Sequence, residues 1–437
     1  MLRLRFSRFL SAGLFAAGSL SSLCAEPPDP AAVPVETLVQ RILATNPELR
    51  FYEAEIAIAK GEQTSAASWG NPQLSGSVGE KRVRDADPSG DGAAWSVSVM
   101  QPFDWPGRIP LRKAIANRQM KMAELGLAQF RAALATRTRV LVYSLAAARE
   151  NAAAANEVAQ RFEDLRNVVV ERDAAGLTPE LEADIIEATA LTERSHASEH
   201  ANEAQAALFE LNQISGQPWG AELSVERTAY RFNRAPALET LIASAREHNF
   251  ELQMRITELE QQGLKVSLAR NERNPTVSVG PYFDQENAGD RETHAGISLS
   301  VPLPLWDRSQ GKISAAEARR EQLAVSLELT QRNIEKEIAT KAHLFATKLD
   351  EMSRWRPDSV ERFKAAVELA DRHYRMGAVP ISTYVELQRQ YLEALDVLFT
   401  TRRDALEAGQ DLELLTGLDF SAVLPDTAAK PAAAQNP

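Results

Sequence analysis

The sequence has a single cysteine, Cys24, so no internal disulfide can hold the fold together. After residue 25 it has no run of 18 apolar residues, which excludes a membrane-spanning helix in the exported chain. A Gly-rich phosphate loop, a nucleophile elbow and a Cys pair are all missing, and with them the signatures of nucleotide hydrolysis, acyl transfer and thiol redox chemistry. The chain is therefore expected to be no enzyme and to hold no cofactor and no resident metal. Aromatic residues are scarce, at 6%, while Ala is abundant and interspersed with charge, the composition of long helices packed side by side. Positive charge is in deficit, 49 Lys and Arg against 60 Asp and Glu. Such an acidic surface argues against nucleic acid as a partner and suits cations.

What is present begins with a leader. Arg3, Arg5 and Arg8 precede the apolar run Phe9 to Leu23, and Cys24-Ala25-Glu26-Pro27 follows. This pattern predicts a secretory signal peptide over residues 1–25. Its loss takes three arginines and no acid, moving the net charge from −11 to −14. Leu23, rather than a small residue, stands before Cys24, so the cysteine is expected to leave with the leader without being lipidated. If the exported chain crosses a membrane, it does so with strands.

The rest of the sequence repeats itself. Arg172 to Leu191 contains Gly176-Leu177-Thr178-Pro179 between two helical patterns, and Arg375 to Leu395 contains Gly377-Ala378-Val379-Pro380, an offset of 201. Gly just past one helix and Pro at the start of the next is the asymmetry a tight helical hairpin needs. Asn46-Pro47-Glu48-Leu49 answers to Asn249-Phe250-Glu251-Leu252, and Asn71-Pro72 to Asn274-Pro275, both at 203. Trp105 and Trp306, and Gly216 and Gly417, again differ by 201. The spacing predicts repeats over 26–220 and 237–420, a linker over 221–236 and a disordered tail over 421–437.

Within each repeat the expected order is helix, strand, loop, strand and long helical hairpin. One helix is predicted from Val35 to Ser68. Strands are predicted over about 73–80, 94–101, 276–284 and 293–302, where apolar residues alternate with Ser, Gly and Thr. Such runs have the length of a tilted strand crossing a bilayer, greasy on one side and small and polar on the other. Trp69, Phe103, Trp105 and Trp306 gather at one end, with Trp95, Tyr282 and Phe283 toward the other, as interfacial girdles would. A soluble sheet with one buried face gives the same alternation, and repetition with a signal peptide favours the membrane. Four strands cannot close a barrel, and open edges in lipid are costly, so the chain must oligomerise. Two copies supply eight strands and a filled lumen, three supply twelve and room for water. The helical pattern from about Arg108 to Ala174 would be on the order of 100 Å long. Its partner returns from Pro179 to Ile214. The second hairpin runs from Ser309 to Met376 and from Pro380 to Thr416, with Pro357 a kink or junction.

Asn71-Pro72, Asn274-Pro275, Gln101-Pro102-Phe103-Asp104-Trp105-Pro106-Gly107-Arg108, the segment Val301 to Gly311 and the two Gly-x-x-Pro hairpins together resemble the TolC family of outer-membrane efflux proteins. Pro302-Leu303-Pro304-Leu305-Trp306-Asp307-Arg308-Ser309-Gln310-Gly311 looks most like the branch serving heavy-metal (cobalt, zinc, cadmium) pumps. The resemblance implies a mainly α fold with a β-barrel part. Its features are a homotrimer, a twelve-stranded barrel in outer-membrane lipid and a periplasmic helical tunnel. A periplasmic adaptor (membrane fusion) protein would dock at the hairpin tips, Gly176, Leu177, Thr178 and Gly377, Ala378, Val379. That adaptor would link the channel to an inner-membrane resistance-nodulation-division pump. It further implies an acidic entrance after the second Gly, where Thr383 and Glu386 stand, so one acid is retained. Glu182 or Asp184 of the first hairpin is the candidate to complete it. Any one of these acids also reads as an ordinary residue at a helix N-terminus. Export of drugs or proteins by the same kind of channel is the alternative.

Two other classes compete. His196, Glu199 and His200 fit the His-x-x-Glu-His spacing of one class of zinc peptidase. No third ligand accompanies them and the second repeat has Val397, Thr400 and Thr401 there, so a solvated helix face is preferred. A soluble periplasmic coiled-coil adaptor would have one hairpin and no two-faced strand pairs.

Overall fold

The computed structural model describes residues 33–84, 90–173, 180–225, 230–288, 290–356 and 358–425. The signal-peptide expectation, the first hairpin tip with Gly176, Leu177 and Thr178, Pro357 and the last twelve residues of the expected tail lie outside them. Two helices, α1 (Val35–Thr45) and α2 (Leu49–Ala66), lead into strands β1 (Gln73–Val83) and β2 (Gly90–Phe103). The long helices α3 (Arg108–Asp173) and α4 (Glu180–Ser215) follow. After β3 (Tyr230–Phe232) come α5 (Leu238–His248), α6 (Phe250–Asn271), β4 (Val277–Ala288) and β5 (Asp290–Ser300). The chain closes with α7 (Gln310–Ser353), α8 (Ser359–Arg375), α9 (Ile381–Thr416) and β6 (Val423–Pro425).

The single helix expected over 35–68 is two. Proline disfavours helical backbone in the residue before it, and Asn46 lies at φ −58°, ψ 124°. Its buried side chain then accepts the Glu48 N–H at 2.8 Å and donates to the Ile214 carbonyl at 2.8 Å, tying the break to the end of α4. Asn249 does the same between α5 and α6, accepting from the Leu252 N–H and donating to the Leu415 carbonyl near the end of α9. A helix break thus becomes a side-chain clamp on a distant helix terminus, whose carbonyls need donors.

The linker and tail expectations are corrected together. Tyr230–Phe232, inside the expected linker, pairs antiparallel with Val423–Pro425, inside the expected tail. Ala422 is fully buried in the cluster of Leu241, Ile338, Phe345, Ala405 and Leu412 that packs α5, α7 and α9. Three residues of strand have no periodicity to read, which is why both looked irregular. A second core joins α1, α3 and α4 through Leu38, Ile42, Leu145 and Leu211. A third, nearer the hairpin ends, joins α3, α4, α8 and α9 through Phe162, Ile186, Val367 and Tyr384.

The sheet runs β1-β2-β4-β5, antiparallel throughout, with β1 and β5 as edges. All four strands reach further at the loop end than the alternation alone indicated. Lys81, read as loop, belongs to β1 and bridges to Glu286 at 2.7 Å and Glu292 at 2.8 Å.

Candidate functional site

Register assigns each side chain of the sheet to a face. On one face Ser75 and Ser98, and Ser77 and Ser96, stand opposite each other with hydroxyls 2.8 Å apart. Ser278 pairs with Ser300 and Gly280 with Ser298 on the same side. The other face carries Leu74 beside Val99, Val78 beside Trp95, and Pro281 beside Ile297. Val78 is 89% exposed and Ile297 77%. Exposed apolar area of this extent marks a surface awaiting a partner or lipid. Gly280 is required for β4 to lie this close to β2, since a Cβ there would lie 1.7 Å from the Val99 carbonyl oxygen.

Sheet and long helices meet at Arg108, the first residue of α3. Its guanidinium is nearly buried and donates to Asp104 at 3.2 Å, Thr276 Oγ1 at 2.8 Å, Asn271 Oδ1 at 3.2 Å and the Asn274 carbonyl at 2.7 Å. Asn271 returns a bond to the Pro106 carbonyl. One side chain therefore holds the β2–α3 corner to the α6–β4 corner. At the other corner, between β5 and α7, Leu303, Leu305 and Trp306 are 70%, 63% and 94% exposed, with no element of the same chain over them.

At the described hairpin end, Gly377 takes φ +71° and the Ala378 N–H reaches back to the His373 carbonyl at 2.8 Å, a left-handed helix stop. Pro380 is the residue before α9 rather than its first. Gly377 and Ala378 are exposed and Val379 half-buried, as an end free for contact would be. Four residues on is Tyr384, which the spacing to Gly377 places among the candidate entrance positions. It is fully buried, stacks on Tyr374 with ring centres 5.2 Å apart, packs on Phe162 of α3 at 5.3 Å and donates to Asp371 at 3.1 Å. Burial among apolar rings and the neighbouring Asp371 carboxylate hold its hydroxyl far above the ordinary tyrosine range. Asp371 also accepts from Arg375 at 2.9 Å. Only spacing to Gly377 signals Tyr384, because an apolar ring on a helix reads as core in any helix.

Of the expected entrance acids, Glu386 lies on α9 and accepts from Arg389 and from Gln390 at 2.7 Å. The Arg389 hydrogen bond, then that of Gln390, hold its carboxyl below the usual glutamate range. Glu182 is half-buried and Asp184 exposed at the start of α4. No hydrogen bond joins either to Glu386. His196 Nδ1 stands 3.3 Å from Glu193, and His200 Nδ1 3.0 Å from Glu203, each bonded along its own helix. Among the described residues no three His, Cys, Asp or Glu side chains are placed to hold a metal ion. No described helix is long and apolar enough to cross a membrane.

The sequence profile of the family described as "Outer membrane efflux protein" matches residues 38–217 and 241–418. The pyoverdine export outer membrane protein OpmQ of Pseudomonas aeruginosa is 24% identical over 400 residues, which cover 86% of this chain and 84% of OpmQ. The Campylobacter jejuni outer membrane channel CmeC shares the fold at TM-score 0.70 and 14% identity, covering 93% of this chain and 94% of CmeC. CusC, whose structures concern folding and transmembrane channel formation, shares it at TM-score 0.64 and 17% identity over 87% of this chain and 90% of its own.

Proposed function

The chain belongs to the outer membrane efflux protein family, and from that premise we propose that it is the passive exit duct of a tripartite efflux system. Three copies of the four-stranded sheet would close a twelve-stranded barrel in the outer membrane, with the Ser and Gly face lining water and the apolar face meeting lipid. The observation that carries this reading is the sheet itself, apolar and exposed on one face, hydroxyl-lined on the other, with both edges unpaired. In lipid those edges must find partners, and a second copy offers them. The bare corner of Leu303, Leu305 and Trp306 supports the same arrangement.

The helices would form the periplasmic tunnel, its tips at Gly176–Thr178 and Gly377–Val379 receiving a periplasmic adaptor linked to an inner-membrane resistance-nodulation-division pump. Glu386, with Glu182 or Asp184 of the first hairpin, would ring the inner entrance and favour cations. The cargo proposed is heavy-metal cations. OpmQ favours a second reading, a larger organic cargo, since its name records pyoverdine export. Conductance of the purified chain lacking residues 1–25 in planar bilayers tests the duct. Discrete cation-preferring steps are expected, larger or less selective for Glu386→Ala. A protein that stays soluble without detergent and never conducts refutes it.

A further inference from the structure

Part-way down the helical body, α3, α4 and α9 leave a cleft of about 400 Å³ between them. Asn151 forms its floor. Its Nδ2 donates to Asp396 at 3.2 Å, which sets the amide orientation, because the flipped amide would turn oxygen toward a carboxylate. Its Oδ1 is then buried with no hydrogen-bond partner, and the residue is only 8% exposed. Beside it the Glu193 side chain is 6% exposed, and its sole hydrogen-bond partner among the described residues is His196 at 3.3 Å. Glu393 and Asp396 add two carboxylates from α9. The one cation in the lining, Arg389, is already paired with Glu386.

We infer that this cleft binds an organic cation, a protonated amine or guanidinium that inserts its N–H donors between Glu193, Asp396 and the free oxygen of Asn151. Every unsatisfied group in the lining is an acceptor. A nearly buried carboxylate bonded only to His196, beside an amide oxygen with no donor at all, is costly, and a charged donor recovers that cost. Three carboxylates face one guanidinium. A bare metal ion is a poorer occupant, since no three ligands of the lining are placed to coordinate one, whereas an ammonium or guanidinium brings several donor directions of its own. The volume lies within the range of small-molecule pockets. Asn151 is 43 residues from the start of α3 and 22 from its end. At about 1.5 Å per residue the cleft lies roughly 65 Å from the strand end and 33 Å from the hairpin end. It is thus remote from the strands and lies beside the proposed entrance, since its Arg389 pairs with Glu386. His196 and His200, one turn apart on α4, line the same cleft. Glu193, Glu393, Asp396 and Arg389 are the other charged groups that face it.

The test is isothermal titration of the detergent-solubilised protein with spermidine and, separately, argininamide, with Mg²⁺ and Zn²⁺ as comparison titrants. Saturable binding of an amine probe is expected, weakened about tenfold or more by Glu193→Gln and by Asp396→Asn, each removing one charge-assisted contact. Circular dichroism melting checks that each variant is folded, and Asp396, an exposed position, serves if Glu193→Gln is not. No saturable binding at millimolar amine, or binding indifferent to both carboxylate variants, overturns the inference. Zn²⁺ binding lost with the two histidines, without amine binding, overturns it in favour of a metal. The measurement does not depend on conductance, so amine binding by a protein that never conducts would leave the site standing and the duct refuted.

Discussion

Replacing Arg108 by Met keeps the bulk of the side chain and removes its charge and every donor. Arg108 is 10% exposed and Asp104 16%, so the pair is shielded enough for breaking it to matter. The loss strands the Asn274 carbonyl and Thr276 hydroxyl, which it now serves at 2.7 and 2.8 Å, each half-buried acceptor costing about 1 kcal/mol, the low end for a lost partner. Asp104 keeps its bond from Arg112 at 2.7 Å, so its charge is not left alone. Together with the broken pair, the total is about 3–5 kcal/mol, the usual result of removing one member of a buried pair. That is a hundredfold change or more in the folded population, at about 1.4 kcal/mol per factor of ten. Arg112→Met, touching the same aspartate from a position 33% exposed, should cost only about 1 kcal/mol. Urea unfolding in lipid vesicles, followed by tryptophan fluorescence at one protein concentration, measures both. Trp69 and Trp105 flank the corner and report on it. An Arg108→Met loss under about 1 kcal/mol, or one no greater than that of Arg112→Met, would refute the claim that this guanidinium joins the β2–α3 corner to the α6–β4 corner.

Three further outcomes are expected. Gly280→Ala should block assembly, because its Cβ would meet the Val99 carbonyl oxygen at 1.7 Å, while Gly79→Ala, with nothing within 4 Å, should assemble normally; heat-resistant oligomer on gels separates the two. Tyr384→Ala should destabilise by about 3–5 kcal/mol through the cavity it leaves, and Tyr384→Phe by about 1 kcal/mol through one hydrogen bond, read by the same unfolding assay. Glu386 has a depressed carboxyl, so its negative charge is present above the ordinary glutamate value and is lost only as pH falls through the lower folded one. Cation selectivity from reversal potentials should therefore survive to lower pH than a free glutamate allows, and Arg389→Ala should move its loss upward.

Much of this protein is local chemistry that a sequence carries on its face. Alternation in Thr276 to Phe283 and Ala295 to Val301 follows from side chains pointing to opposite faces of a strand, and it marks both faces before any contact is known. Long runs without proline or paired glycine, as from Leu111 to Asp173, have little choice but helix. Gly377 marks a stop because few other residues adopt a left-handed turn cheaply. What needed the tertiary structure is every contact between distant segments. Asn46 looks like a turn residue until the Ile214 carbonyl, 168 positions away, is brought to its amide. Arg108 looks like any helix start until Asn271 and Asn274 arrive beside it. The placement of β2 against β4 and the pairing of Tyr230–Phe232 with Val423–Pro425 depend on how whole helices pack. So does the cleft of Asn151, Glu193 and Asp396, which is divided among three helices. Periodicity is set by each residue and its neighbours in the chain, whereas a clamp, a register across strands or a cleft is set by which surfaces bury each other, and only the folded molecule decides that.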